Sequence, residues 1–348
     1  PTMAEFLRDN GYVTGQIGKW DLGDKSQGPS SRGFMEVAEF PPRVEGDKIR
    51  FLVKDKEGKT AWLTDLDGDR LVEFVDRHKE KPFFMYWSPL AVHSPHKNIP
   101  EALAARTTAS KKRRQLGGGI VSVDDQVGKL LACLEKNGLR KNTLIILSSD
   151  NGANSGEGGS SAPYRGGKGG GTQQIGWTLS PTVMSWPGVI PEGKRFGGLS
   201  CTLDFYATIA AAAGQAAPKH LDGVDLLPYL RGAEEGSPHE FLFWLNNQKD
   251  DAPRRHLVAV RWKQWRLYRQ RENDRWQLFN IVKDPREEKD VAKKFPEVVK
   301  RMASEHAEWK KSHMPPPKIV KVDAKGNPPT GHGWVISDGS MKPQTREE

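Results

Sequence analysis

Leu144-Ile145-Ile146-Leu147 is an unbroken apolar run that stops at Ser148-Ser149-Asp150-Asn151-Gly152. Such a run suits a strand buried on both faces, so Asp150 and Asn151 fall at the carboxyl end of that strand. In open α/β sheets this edge is where ligands bind, and Gly152 lets the backbone turn sharply away from it. The adjacent carboxylate and amide oxygens suit a hard divalent ion such as calcium or magnesium. Asp-Asn-Gly is also ordinary turn chemistry, and taken alone the segment favours the turn.

The same order, helix then strand, occurs earlier. Leu66 to Lys79 has helical spacing through Leu71, Phe74 and Val75, Lys81-Pro82 ends it, and Pro82 to Trp87 is a second buried-strand pattern. Ser122 to Asn137 is an amphipathic helix, closed by Gly138, that delivers the chain to Leu144. The repetition predicts an α/β fold with a mostly parallel central sheet flanked by helices. Residues 2–9 read as a helix, Val13 to Ile17 and Pro181 to Trp186 as short strands, and Leu203 to Ala213 as a helix ended by Gly214. Residues 24–60 read as an irregular excursion with one hairpin, Ile49 to Val53 with Thr60 to Leu63.

From Phe241 the texture changes. His256 to Gln270 and Arg275 to Ile281 alternate apolar and polar residues like antiparallel strands with one wet face, and Phe295 to Lys311 reads as a final helix. The expected organisation is an α/β domain over residues 1–235 with its N-terminal part missing, a small α+β domain of antiparallel strands and a helix over 236–311, and an extended or disordered tail over 312–348. The 348 residues suffice for both cores.

The net charge of +9 raises the question of nucleic acid. The densest basic run is Lys111 to Arg114, without the interleaved aromatics, zinc-finger or RNA-binding signatures of nucleic-acid binders. A solvated basic surface, or attraction of a polyanionic substrate, is the better account. No run of about 18 apolar residues occurs, so no membrane span is expected. Of the two cysteines, Cys133 falls on the apolar side of Val127-Leu130-Leu131-Leu134, where core packing suits it; Cys201 has no such pattern. The opening PTMAEFLRDNGY has the form of an amphipathic helix rather than a signal peptide. That start is expected of a fragment without its compartment signal.

Three loops carry further chemistry. Gly18-Lys19-Trp20-Asp21-Leu22-Gly23 follows the first strand, and glycine-flanked backbone there can aim Lys19 at an anion. His93 and His96 lie among prolines after the Pro82 to Trp87 strand. Arg165 and Lys168 sit in Arg-Gly-Gly-Lys, where the glycines allow close backbone approach and both cations can grip an anion; the loop's spacing is not that of a P-loop. Each also has a plain structural reading: a surface lysine beside a packed tryptophan, satisfied histidines, a flexible linker. Gathered on one sheet edge with the Asp150-Asn151 pair, two lysines and a cation neutralise a tetrahedral oxyanion while His93 protonates a leaving oxygen. That inventory suits a sulfate or phosphate monoester. A covalent route also needs a nucleophile; no Gly-x-Ser-x-Gly is present, and neither cysteine has the sequence neighbours of a reactive one.

Gly11 to Gly23, GYVTGQIGKWDLG, resembles a signature of the sulfatase family whose usual form is GYxTxxxGKWHLG. TAWLTDLDGDRLVEFV, PFFMYWSPLAVHSPH, LIILSSDNG, RGGKGGG, PTVMSWPGVIPEG and QLFNIVKDPREEKDVA follow in the order of that family, over about residues 2–295. The resemblance implies an alkaline-phosphatase-like α/β domain with a smaller C-terminal domain. It also implies hydrolysis of a sulfate ester on a sulfated small molecule or polysaccharide, with bound calcium. Carried over by position, Asp150 and Asn151 are metal ligands, Lys19 and Lys168 hold sulfate, and His93 contacts sulfate and assists the leaving group. His96 has no counterpart.

There are departures. The family's nucleophile, a formylglycine made within C/S-x-P/A-x-R, precedes the GKW stretch together with an Asp-Asp metal pair, and neither occurs ahead of Gly18 here. Cys133, followed by Leu-Glu-Lys, and Cys201, followed by Thr-Leu-Asp, do not fit that pattern. The chain by itself is therefore expected to be inactive. Asp21 stands where the family has His, and Gln174-Ile175-Gly176 where it has Glu-Gly-Gly. These changes keep two alternatives open: a non-catalytic protein that binds sulfated glycans, and a phosphomonoester or phosphonate hydrolase on the same scaffold. The resemblance implies a periplasmic or extracellular protein and leaves the sugar and the oligomeric state open.

Overall fold

The computed structural model describes residues 1–22, 27–42, 44–45, 51–168, 174–247, 256–270, 274–312, 318–319 and 336–337. Helix α1 (Met3–Asp9) starts in a capping box, in which Thr2 Oγ1 accepts from Glu5 N at 3.1 Å and Glu5 Oε2 accepts from Thr2 N at 2.7 Å. It feeds β1 (Val13–Gly18), whose six residues are all buried. Parallel ladders flank β1, with β2 (Glu36–Val37) on one side and, after the hairpin β3 (Leu52–Lys54) and β4 (Thr60–Trp62) and helix α2 (Leu63–His78), β5 (Phe83–Ser88) on the other. The register runs from Val13 opposite Phe83 to Gly18 opposite Ser88. Both strands thus end at one level.

A short α3 (Glu101–Ala104) precedes α4 (Arg114–Lys136), which begins eight residues before the expected Ser122. Gly117, Gly118 and Gly119 do not break it, because the glycines are what lets α3 approach. A Cβ on Gly118 would stand 2.8 Å from Ala104 N. The Trp62 indole donates to Ser122 Oγ at 2.6 Å, joining the start of α2 to α4. Toward the C-terminal ends of both helices, Val75, Cys133 and Leu134 form a cluster, with Phe83 of β5 and Ile145 of β6 (Ile145–Ser148) packed on it. Cys133 is buried and unpaired, as its pattern predicts.

Strand β6 departs from expectation. It pairs antiparallel with β7 (Thr182–Ser185), which follows α5 (Ile175–Thr178), and makes no ladder with β5 among the described residues. With a neighbour on one edge only, the apolar run is half-buried rather than enclosed, and Leu147 is 49% exposed. The α/β part is completed by α6 (Asp204–Ala212) and α7 (Leu227–Arg231). Parallel sheet, flanking helices and a smaller antiparallel C-terminal region make up the architecture.

That C-terminal region has β8 (Phe241–Asn247), β9 (His256–Trp262), β10 (Trp265–Arg269) and β11 (Gln277–Asn280), paired antiparallel in the order β11-β10-β9-β8, and helix α8 (Pro296–Lys311). The expected wet face is not wet. Alternate residues Val260, Leu267 and Leu278 meet Met302 of α8. Their neighbours Ala259, Tyr268 and Phe279 pack against Ile175 and Trp177 of α5. Both faces are covered because the glycine-rich loop carries α5 onto the sheet. Of the expected tail, Ser312 closes α8, Lys318–Ile319 (β12) and Ile336–Ser337 (β13) pair antiparallel, and the rest lies outside the described residues.

One buried charge in this core is testable. Asp67 on α2 is 1% exposed, both its carboxylate oxygens lack a hydrogen-bond partner, and its nearest cation, Arg70, lies 3.6 Å away. Burial pushes its carboxyl up to about 6. The folded chain takes up this proton before the unfolded chain does, so the group's effect on stability becomes less favourable as pH rises from about 4 through 6. Asp67→Asn is expected to raise stability at pH 7.5 by on the order of 2 kcal/mol and to remove this part of the pH slope. Urea unfolding at pH 4.5 and 7.5 would measure it; an unchanged or lower midpoint at pH 7.5 contradicts the prediction.

Candidate active site

The end of β1 is stitched to the end of β5. Lys19 N donates to Ser88 O at 2.7 Å, and Ser88 Oγ donates back to Lys19 O. Gly18, at φ 94, permits the crossing, since a Cβ there would fall 2.2 Å from the Ser88 carbonyl oxygen. Lys19 therefore sits where the His93 loop leaves its strand. The Lys19 ammonium lies 2.8 Å from Asp21 Oδ2, an ion pair between partly exposed side chains. The residue that replaces the family histidine is thus held by the candidate anion-binding lysine.

His93 is exposed, and its Nδ1 lies 2.7 Å from the Ser94 carbonyl. A carbonyl only accepts, so the Nδ1–H donates and Nε2 is left to take up or give a proton. His96 uses Nε2 instead, donating to Val92 O at 3.1 Å. Of the two histidines, only His93 keeps Nε2 out of the loop's own hydrogen bonding.

At the end of β6, Ser149 Oγ donates to Asn151 O at 2.8 Å. The Asp150 carboxylate and Asn151 amide make no hydrogen bond among the described residues. Gly152 N donates to Trp177 O at 3.0 Å, and a Cβ on Gly152 would stand 1.7 Å from Gly176 O. Lys168 N donates to Ala153 O at 2.9 Å, which brings this lysine back beside the Asp150-Asn151 turn. The structure assembles two halves, Lys19 with the His93 loop and Asp150-Asn151 with Lys168. No hydrogen bond or ion pair among the described residues joins one half to the other.

Arg165 has a different setting. Its Nη1 donates to Glu287 O at 3.1 Å and its guanidinium lies over the Phe279 ring at 5.9 Å. Glu287 is fully buried, at φ 54, with one carboxylate oxygen on Arg266 and the other accepting from Ile175 N at 3.2 Å. Burial holds the Arg266 guanidinium below the usual arginine range, opposed by its bond to Glu287. The glycine-rich loop is therefore no linker. Its described part is anchored at Arg165 and Ile175, and 169–173 lie outside the described residues.

Two features lie outside the expectations above, the first of them visible in the sequence. Ser161-Ala162-Pro163-Tyr164-Arg165 fits the bare S-x-P-x-R spacing. In the fold, Ser161 Oγ accepts from Ala153 N at 3.2 Å and donates to Gly176 O at 2.9 Å, which makes it a brace of this loop. Cys201, Asp204 and His239 form a cluster of their own, although Cys201 and His239 are too far apart in sequence for a spacing motif to reveal it.

A family model described as Sulfatase matches residues 1–215, and one described as N-sulphoglucosamine sulphohydrolase, C-terminal, matches residues 178–312. The chain is 30% identical over 263 residues to N-acetylgalactosamine-6-sulfatase of Canis lupus familiaris, covering 67% of this chain and 49% of that protein. It is 30% identical over 296 residues to arylsulfatase A of Homo sapiens, covering 75% of this chain and 56% of that protein. Thus it spans about half the length of these curated relatives. Among solved structures it is similar to Ps i-CgsB in complex with k-i-k-neocarrahexaose, with a TM-score of 0.75 and 30% identity, over 88% of this chain and 73% of that one.

Proposed function

Because the chain belongs to the sulfatase family, we propose that it carries the sulfate-gripping, cation-binding and leaving-group parts of a site that hydrolyses a sulfate ester on a sulfated carbohydrate. The observation that carries this reading is the stitch at Gly18 and Ser88, which fixes Lys19 and the His93 loop at one level of the parallel sheet. The carbohydrate is supported by relatives whose own names specify an N-acetylgalactosamine sulfate and a bound neocarrahexaose.

In this reading Lys19 and Lys168 hold the non-bridging sulfate oxygens, and His93 Nε2 protonates the departing alcohol oxygen. Asp150 and Asn151 fit a hard cation by donor type, as two adjacent oxygens with no competing hydrogen bond among the described residues; calcium is our assignment, and magnesium takes the same donors. When bound, the ion neutralises sulfate charge. Arg165 supports the loop through Glu287 and leaves the sulfate to the two lysines. Among the described residues no helix is long and apolar enough to cross a membrane, and an exported location follows from the family reading alone.

Binding tests this with the 348-residue chain in calcium buffer, titrated with a sulfated galactan oligosaccharide and its desulfated counterpart. The sulfated ligand is expected to bind, and Lys19→Ala and Lys168→Ala are each expected to weaken it at least about tenfold. Equal binding of the desulfated sugar would sink the proposal. A preference for the phosphorylated sugar would move it to phosphomonoesters.

A second reading, glycan binding without hydrolysis, is favoured by the Lys19–Asp21 pair. The anion placed beside Lys19 opposes an incoming sulfate. Asp21→Asn is expected to tighten sulfated-ligand binding about threefold, an effect that fades with added salt. No change would mean that Asp21 swings clear when ligand arrives.

A further inference from the structure

Cys201, Asp204 and His239 stand apart from the site above, at the start of α6 and just before β8. Their donor atoms, a thiol sulfur, a carboxylate oxygen and an imidazole nitrogen, all lie within 4.8 Å of one another. Neither half of the candidate active site includes them. We propose that they form a separate site for a borderline-soft divalent ion, zinc above all, held by Cys201 Sγ, one Asp204 oxygen and His239 Nε2.

The donor set is the first argument. Sulfur and imidazole together select zinc over the calcium or magnesium that all-oxygen ligands take. The second is preorganisation. Asp204 is fully buried, and its carboxylate accepts from Cys201 N at 2.7 Å and from Val224 N at 2.9 Å, so two backbone amides fix its orientation. The segment before β8 is pinned too, since Leu199 N donates to Ser237 Oγ at 2.8 Å and Ser237 Oγ donates to His239 O at 2.7 Å. Cys201 is not in a disulfide. The third is geometry: His239 Nε2 lies 2.7 Å from Asp204 Oδ1, and a tetrahedral ion between them needs an opening of about half an ångström. The fourth position falls to water.

Without an ion, His239 Nε2 and Asp204 Oδ1 are hydrogen-bonded to each other, so the ion takes the place of that contact.

The test uses the full chain, stripped with chelator and titrated with zinc and, separately, with cobalt(II). One ion per chain is expected, with the intense near-ultraviolet band of a cobalt thiolate. Cys201→Ser is expected to abolish the band and weaken zinc at least tenfold, and His239→Gln to weaken zinc comparably. Cys201→Ser keeps the Asp204–His239 bond, so its metal-free melting curve should match that of the unaltered chain. Asp150→Asn should leave the band in place. Absence of the cobalt band, or zinc affinity unchanged in Cys201→Ser, would overturn the assignment.

Discussion

Glu287→Gln is expected to destabilise the chain by about 3–5 kcal/mol, because it strips a buried guanidinium of its counter-ion. Arg266 is 2% exposed and its carboxylate partner is fully buried. The same carboxylate accepts from Ile175 N, and the Glu287 carbonyl accepts from Arg165. The double variant Arg266→Met with Glu287→Gln should recover much of the loss, since it also removes the buried guanidinium that faced the carboxylate. Urea unfolding of the single and double variants measures both. A single variant within about 0.5 kcal/mol of the unaltered chain would show that Glu287 is no keystone.

Gly152→Ala is the second large effect. The new methyl would stand 1.7 Å from Gly176 O, a backbone atom that a rotamer change cannot move aside. Either the Asp150-Asn151 turn or α5 must shift, and a cost of about 3 kcal/mol or more is expected, at the upper end for overpacking. In the proposed function, the shift also parts Asp150 and Asn151 from Lys168, so sulfated-ligand binding should fall at least about tenfold even at temperatures where the variant stays folded. Thermal unfolding and the oligosaccharide titration separate the two effects. Intact binding with reduced stability would show that the turn tolerates movement.

The elements of this fold are legible where local chemistry decides them. Val13 to Gly18 and Phe83 to Ser88 form strands because apolar and β-branched residues run up to a glycine or a proline, and the Leu203 to Gly214 stretch forms a helix by its spacing. Burial was less legible because neighbours decide it. Leu147 is half-exposed through its position on a one-sided strand, and Arg266 is enclosed because α5 lies over its sheet. Of the site, the strand-end positions of Lys19, His93 and Asp150 could be read from pattern. The tie between Arg165 and Glu287, and the meeting of Cys201 with His239, could not, since no periodicity links residues so far apart. Ser161 makes the converse point: a spacing match without its setting names the wrong role.

The anchoring of the glycine-rich loop also sets an order in time. Ile175 waits for a carboxylate 112 residues further along, and Arg165 for a carbonyl 122 residues away. Contacts so distant form late, after the chain has met the entropy of closing the intervening segment. During synthesis, Lys168 leaves the ribosome long before the residues that hold its loop in place. Lys168 is therefore the last residue of the proposed site to be made, and its loop is fixed later still. Any truncation ahead of Glu287 leaves that step undone.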